Sequence, residues 1–518
     1  MARPDNKVIG GLQTVLLCAS SRAKPRGTAP SATSERDDKV TSNPMGKQAA
    51  ADGERPAAPS AALAGQRVHM VGIGGTGMCG LAAVLIRNGA IVSGSDRIES
   101  AATARLSCAG ATVQIGQRPD NVPEAADLVV ASAAVKESNP ELVTARQRGC
   151  EVIRYADLLG RLMAQHQGIG VAGTHGKSTT TALLAYILTR AGLDPSFVVG
   201  TTVGQLGGGA AAGSGPHFVA EACEYERSFL KLVPRMAAVL NIEEDHLDFY
   251  ANLESIVEAF AAFCSLVPED GLIVANNEDR AVAAATEAAR APVERFGFDA
   301  RADWWPDALT AERGRFSFHL CHRSERLTHV RLHLAGRHNV ANALAASALA
   351  SHCGVEPEVL ADALAGFEGT DRRMTVRGEV NGATLIDDYA HHPTAIEVTL
   401  RAVRQAFEPR RLWVVFQPHQ HSRTRLLLND FALSFGQADV VVVPDIYFVR
   451  DSEQERSLIG SRDLVQRIGA SGGEAVYVPE LLAAAQYVRL RVEPGDVVVT
   501  MGAGDVWKVA DELVQRAG

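Results

Sequence analysis

Gly173-Thr174-His175-Gly176-Lys177-Ser178-Thr179-Thr180-Thr181 is the stretch that decides the architecture. It follows an apolar, strand-like run at residues 169–172 and opens a helical pattern over residues 181–188. A glycine-rich turn between strand and helix leaves backbone N–H groups converging on one point, beside the positive end of the helix dipole. Lys177 adds a mobile charge for the outer phosphates, and the Ser178 hydroxyl is placed to ligate Mg2+. The usual spacing, G-x-x-x-x-G-K-[ST], asks for glycine at 171, where Val171 stands instead. Strand, turn, lysine and hydroxyl in the required order favour a nucleoside triphosphate loop over a glycine turn followed by a surface lysine.

Outward from the loop, apolar strand runs alternate with helical patterns from residue 67 onward, which predicts an α/β protein with parallel sheets. At 518 residues the chain exceeds one core. The reading is three α/β domains after an N-terminal extension: residues 1–65 as the extension, 66–163 Rossmann-like, 164–370 a central P-loop-type ATPase domain, and 371–518 again Rossmann-like. In the first domain strands are expected at 68–72, 90–93, 128–131 and 151–153, with a closing helix at 156–165. The central domain adds strands near 217–221 and 237–241, helices near 253–263, 280–289, 339–352 and 357–367, and an antiparallel hairpin from 315–320 and 328–334. The third has strands at 412–416, 440–443 and 496–500.

Composition narrows the function classes. A formal charge of −9 argues against nonspecific nucleic-acid binding, which needs a basic face. No uninterrupted apolar run reaches the roughly 18 residues of a membrane helix, so no membrane insertion is expected. Eight scattered cysteines without a C-x-x-C pair fit free thiols in a reducing cytoplasm. Residues 1–65 are rich in Ser, Ala, Pro, Gly and charge apart from residues 8–18, whose short apolar stretch faintly resembles a signal peptide. They read as a disordered tail, or as the product of a start assigned upstream of Met45.

Five clusters carry chemistry. Gly72, Gly74 and Gly77 form a G-x-G-x-x-G fingerprint after a strand, with Asp96 at the end of the next. Physically this supports a diphosphate at a helix N-terminus and leaves the nucleoside open. Glu221 ends an apolar strand, the place from which an acid reaches the metal in P-loop proteins. Residues 241–248 concentrate four acids and His246 after another buried strand. Residues 386–393 gather Asp387, Asp388, Tyr389, His391 and His392 before Pro393, which suits a first helical turn. A zinc site is the rival there, though adjacent histidines rarely reach one ion. Residues 417–425 join His419 and His421 to Arg423 and Arg425, a set suited to an anionic substrate. Beside a triphosphate loop these clusters stop looking like solvated strand ends.

Taken in this order, the clusters resemble the Mur ligases of peptidoglycan synthesis. The likeness runs from about Gln66 to the C-terminus and is most specific at residues 69–78, 173–181, 336–342 and 387–393. It implies ATP-dependent joining of L-alanine to the lactyl carboxylate of UDP-N-acetylmuramate through an acyl phosphate, with ATP and Mg2+ required. It implies a first domain that holds the UDP part through Gly72, Gly74, Gly75, Gly77 and Asp96. Gly173, Thr174, His175, Gly176, Lys177, Ser178 and Thr179 would cradle ATP, with His338, Asn339 and Asn342 near adenine and ribose. Ser178 and Glu221 would hold one Mg2+ and His246 a second. Catalytic roles fall on Lys177, His246, Arg373 (or Arg372), Asp388 and His392, and muramoyl binding on His419 and Arg423. The resemblance further implies a cytoplasmic enzyme in monomer–dimer equilibrium.

The sequence departs from the family pattern at a few positions. Gln420 stands where an arginine is expected, with Arg425 as a substitute, and Ala395 replaces an acid. Cys223 replaces an aspartate after Glu221. Phe260 lies about where several sister ligases carry a carbamoylated lysine, which fits an alanine-adding member. Rival readings are a recycling ligase that joins a whole tripeptide to the same sugar nucleotide, an NAD-dependent dehydrogenase supported only by the first fingerprint, and a nonenzymatic nucleotide-binding regulator.

Overall fold

The computed structural model describes residues 63–515. The signal-like residues 8–18, Met45 and nearly all of the 1–65 extension lie outside the described residues. Three sheets follow one another along the chain, and all three are mixed with helices in an α/β arrangement.

The first sheet is parallel throughout, with order β3-β2-β1-β4-β5. Its strands are β1 (Arg67–Val71), β2 (Ile91–Asp96), β3 (Thr112–Ile115), β4 (Leu128–Ala131) and β5 (Glu151–Arg154). β4 is buried along its whole length, as expected of a strand covered on both faces. The strand order reverses beside β1, and the crevice at the carboxyl ends of such strands is where α/β folds take ligands. β2 runs three residues beyond the expected 93, and so carries Asp96 as its last residue. β3 escaped sequence reading because it is a four-residue edge strand with mostly exposed side chains.

The central sheet has ten strands in the order β15-β14-β13-β12-β11-β10-β6-β9-β7-β8. They are β6 (Gln167–Ala172), β7 (Ser196–Val198), β8 (Ala210–Ala211), β9 (His217–Glu221), β10 (Met236–Val239), β11 (Leu272–Asn276), β12 (Val293–Phe296), β13 (Trp304–Glu312), β14 (Arg315–His322) and β15 (Glu325–Ala335). β6 sits between β10 and β9, parallel to both, so the loop leaving it emerges at a switch point. The helix that follows, Lys177–Arg190, is buried on every side from Ser178 to Leu188 and packs in one core with helix Arg337–His352. A helix buried on every face belongs inside a large domain, and here its polar first turns, Ser178 to Thr181, are buried with the rest. β14 and β15 form the expected antiparallel hairpin, preceded by a third antiparallel strand, β13. β13 was not anticipated: Pro306 interrupts it and its register shifts between Asp307 and Thr310, which blurs the period-2 pattern. Phe260 is a fully buried core residue set edge-on to Phe229 at 5.2 Å, so it carries no site role.

The third sheet has order β16-β17-β21-β18-β19-β20, parallel except for the β16–β17 pair. Its strands are β16 (Thr375–Val380), β17 (Ala383–Asp388), β18 (Leu412–Phe416), β19 (Val440–Val443), β20 (Ala475–Tyr477) and β21 (Val497–Met501). β17 delivers Asp387 and Asp388 at its carboxyl end, and Pro393 begins a helix that runs to Phe407 with His392 as its N-cap. Among the described residues no helix is long and apolar enough to cross a membrane.

Candidate active site

The helix after β6 starts at Lys177, four residues earlier than the sequence pattern suggested, because Gly176 takes a left-handed φ of 83° and closes the loop there. Lys177 and Ser178 are therefore the first helical residues, next to the unpaired first-turn amides. Val171 is an ordinary buried strand residue in register with Glu221. The turning is done by Gly173 and Gly176, and a side chain at either would collide: with Leu240 at 2.9 Å, and with Asn342 Oδ1 at 2.5 Å. The second of those contacts sets Asn342, from helix Arg337–His352, directly against the loop.

Loop, β9 and the acidic segment after β10 converge on one cavity of about 1820 Å³. Ser178 Oγ donates to Glu221 Oε1 at 3.1 Å, and the other Glu221 oxygen accepts from the Gly200 amide at 2.8 Å. Lys177 Nζ donates to the carbonyls of Gly173 and Thr174 and pairs with Glu224 at 2.9 Å. Burial works against the ammonium charge, but Glu224 and its acidic neighbours outweigh it and raise the Lys177 pKa. In turn Lys177 and His246 hold the buried Glu224 carboxyl below its ordinary value despite its desolvation. His246 Nε2 lies 3.5 Å from Glu224, while His246 Nδ1 and Glu224 Oε2 are buried without a hydrogen-bond partner. These hard oxygens and orphaned atoms fit a Mg2+-nucleotide.

The third sheet supplies the opposite wall. His392 Nε2 meets the Glu244 carbonyl at 3.1 Å, and its ring faces that of His175 at 4.8 Å. Thr394 Oγ1 donates to Glu243 at 2.6 Å. Although burial opposes its ionisation, His175 and the bond from Thr394 draw Glu243 down to about 2. Arg423 donates to Asp245 at 2.6 Å, with both side chains more than nine-tenths buried, and lies 3.3 Å from His419 Nδ1. Burial, then Arg423, pushes His419 to about 3, so its imidazole is neutral.

Arg372 and Arg373 both line the cavity and both lie 5.1 Å from the Tyr389 ring centre, but their other partners differ. Arg372 is spent on Asp387 at 3.1 Å and the Gly502 carbonyl at 2.7 Å. Arg373 lies over Tyr389 and faces His338 and Asp388; burial, then Arg373, lowers His338 to about 4. Asp388 accepts from the Met374 and Ala390 amides at 2.8 and 2.7 Å, so in this conformation it staples the turn between β17 and the helix. Burial raises its pKa.

Thr174, His175, Gly176, Lys177, Ser178, Thr179, Glu221, His246, His338, Asn339, Asn342, Arg373, Asp388, His392, His419 and Arg423 all line this cavity. Gly173 does not line it, but its carbonyl accepts from Lys177 Nζ. Gly72, Gly74, Gly75, Gly77 and Asp96 do not line it; among the described residues of the first domain Thr76 does, at the start of the helix Thr76–Arg87. There Asp96 accepts from the Gly74 amide at 2.8 Å and shapes the glycine turn, while Gly77 makes room for the Tyr155 ring. Arg425 does not substitute for the missing arginine, because it forms a two-pronged pair with Glu455 at 3.0 and 2.9 Å outside the cavity. Gln420 is buried with φ 70° and an unpartnered Nε2. Residues that sequence reasoning left without roles are Glu224, Glu243, Asp245 and Thr394. The density of acids at 241–248 was the available signal, but their partners lie up to 178 residues away.

Three family descriptions match consecutive parts of the chain: "Mur ligase family, catalytic domain" at residues 67–167, "Mur ligase middle domain" at 171–350 and "Mur ligase, glutamate ligase domain" at 372–504. A curated UDP-N-acetylmuramate–L-alanine ligase of Caldanaerobacter subterraneus is 39% identical over 453 residues, spanning 87% of this chain and 98% of the relative. A protein of the same name from Pelotomaculum thermopropionicum is 41% identical over 453 residues, 87% of this chain and 97% of its own. Among solved structures, the UDP-N-acetylmuramate-alanine ligase of Thermotoga maritima superposes with a TM-score of 0.72 at 29% identity, covering 87% and 98% of the two chains. A murein peptide ligase of Psychrobacter arcticus gives 0.68 at 27%, covering 88% and 99%.

Proposed function

The chain belongs to the Mur ligase family, and from that premise we propose that it joins L-alanine to the lactyl carboxylate of UDP-N-acetylmuramate at the expense of ATP. The observation that carries the reading is the meeting, in one cavity, of the triphosphate loop with basic and imidazole side chains from the third sheet. The relatives, matched over nearly their whole length, supply the substrate names.

The chemistry follows from the groups present. A carboxylate resists attack by an amine because oxide is a poor leaving group, and phosphorylation removes that obstacle. The substrate carboxylate attacks the γ-phosphate, ADP departs, and the amine of L-alanine then adds to the acyl phosphate and expels phosphate. Lys177 moves from Glu224 to the β- and γ-phosphates, where its charge offsets what develops on the transferred group. The loop amides and Gly176 orient the phosphates, and Asn339 and Asn342 border the nucleoside. Arg373 and His392 face the phosphate and incoming amine, Asp388 keeps their turn in place, and neutral His419 with Arg423 receives the muramoyl group. Ser178 and Glu221 would hold Mg2+, with His246 at a second ion; bound there, the metal neutralises phosphate charge. Gly72, Gly74, Gly75, Gly77 and Asp96 would hold the UDP part. No protein nucleophile is required, so catalysis rests on positioning and charge. A cytoplasmic location, where ATP is supplied, and a monomer–dimer equilibrium complete the proposal.

The test is phosphate release from ATP with UDP-N-acetylmuramate and, separately, L-alanine, glycine, L-serine or a tripeptide. Alanine-dependent release is the expected result. Release only with the tripeptide would transfer the chain to the recycling activity, and none with any acceptor would overturn the ligase reading.

A further inference from the structure

His175, Glu243 and His392 come from three different parts of the cavity wall, and their donor atoms lie within 4.8 Å of one another. His175 stands inside the triphosphate loop, Glu243 follows β10, and His392 caps the helix that leaves the third sheet. His175 Nε2 is 3.4 Å from Glu243 Oε2, and His392 Nδ1 is 3.7 Å from the same oxygen. Around a tetrahedral ion with bonds of about 2.0–2.1 Å, neighbouring donors stand roughly 3.3 Å apart, so two of these separations need little adjustment.

The orientation of His392 is the independent observation. Its Nε2 faces a carbonyl, that of Glu244 at 3.1 Å, and must therefore carry the proton. The lone pair is left on Nδ1, which is buried without a hydrogen-bond partner on a residue only 6% exposed. An imidazole held by a carbonyl on one nitrogen and bare on the other is the arrangement of a metal-ligating histidine. Glu243 is held in turn by Thr394 at 2.6 Å, and the His175 backbone is fixed by Asn241 Oδ1 at 2.6 Å.

We propose that His175, Glu243 and His392 form a binding site for a borderline divalent transition ion, Zn2+ by preference, that ties the triphosphate loop to the third-sheet wall of the cavity. Two imidazoles and one carboxylate suit Zn2+, Co2+ or Ni2+, whereas Mg2+ prefers oxygen and retains its water. The site is separate from the Ser178–Glu221 pair assigned to the nucleotide metal, and it holds whatever reaction the chain performs.

The experiment titrates the nucleotide-free full chain with Co2+ and follows its visible absorption. The expected result is one equivalent bound with the intense bands of a tetrahedral ion, displaced by Zn2+ but not by excess Mg2+. Glu243→Gln and His392→Gln should each weaken binding by more than the 10–100-fold that loss of an outer-shell partner brings. Pale octahedral bands, no binding, or bands that survive both substitutions would overturn the proposal. So would a sulfur charge-transfer band, which would place the ion on nearby Cys223. If either variant melts early, an anomalous difference map from zinc-soaked crystals of the unaltered chain decides instead: a peak between the three donors supports the site, and its absence refutes it.

Discussion

Lys177→Ala is the obvious substitution for a triphosphate loop, and the structure shows that it removes two things at once. It takes away the charge meant for the γ-phosphate, and it strips the buried Glu224 of its counter-ion at 2.9 Å. Glu224 is 3% exposed and its second oxygen already lacks a partner. Leaving one member of a buried pair uncompensated costs about 3–5 kcal/mol, and water in the adjoining cavity favours the low end. At roughly 2–4 °C per kcal/mol for a domain of this size, about 3 kcal/mol lowers the melting temperature by roughly 6–12 °C at neutral pH. The pH dependence has a definite sign. Without Lys177 the folded Glu224 pKa lies above its unfolded value near 4.3, so the deficit is full at neutral pH and fades as pH falls toward that value. Adding Glu224→Gln to Lys177→Ala should recover most of the lost stability while ATP-dependent phosphate release remains absent. Thermal melts of the unaltered chain, Lys177→Ala, Glu224→Gln and the double variant at pH 5 and pH 7.5, alongside release assays, give both readouts. A single Lys177→Ala variant that melts with the unaltered chain at pH 7.5, or a double variant no more stable than the single one, would refute the reasoning.

Asp245→Asn leaves Arg423 buried without its partner and should weaken the contact between the acidic segment after β10 and the third-sheet wall by about 3–5 kcal/mol. Small-angle scattering should then show an expanded chain, whereas an unchanged profile would leave Arg423 a substrate contact only. Ser178→Ala and Glu221→Gln should each raise the Mg2+ needed for half-maximal release by at least about tenfold. His246→Ala should do likewise, and an unchanged metal titration would count against its role. Bonds from His352 and Trp304 overcome the burial of Glu294 and draw it down to about 2, below its unfolded value. Its contribution is therefore present above about pH 4.5 and lost as pH falls toward 2, which Glu294→Gln should abolish in melts followed by tryptophan fluorescence.

What could be read in advance was what the chain states locally. β6, the glycine turn and the buried helix are contiguous, and β4, β9, β18 and β19 are short apolar runs bounded by turns. β13 was hidden because a proline and a register shift break its alternation. The start of the helix at Lys177 depended on Gly176 adopting positive φ, which a run of threonines after it does not announce. The pairs Lys177–Glu224 and Asp245–Arg423 could not be read at all, since 47 and 178 residues separate their members and only the folded sheets bring them together. Asp388 and Asp96 were recognisable as important acids, but their oxygens face backbone amides, a geometry that residue type does not reveal.

Helix Pro393–Phe407 touches the cavity at both ends. Its first turn holds Glu243 through Thr394, and its last packs Gln405 and Ala406 against Gly314 at the β13–β14 turn. Fifteen residues at 1.5 Å each make a rod of about 22 Å. That rod acts as a gauge: it fixes how far the reacting end of the cavity stands from the hairpin at its other end. One inserted residue would lengthen it by only about 1.5 Å but turn everything beyond by about 100°, swinging its last turn off Gly314. A whole-turn insertion would restore the angle but lengthen the rod by about 5.4 Å, so angle and distance are kept together only at the present length.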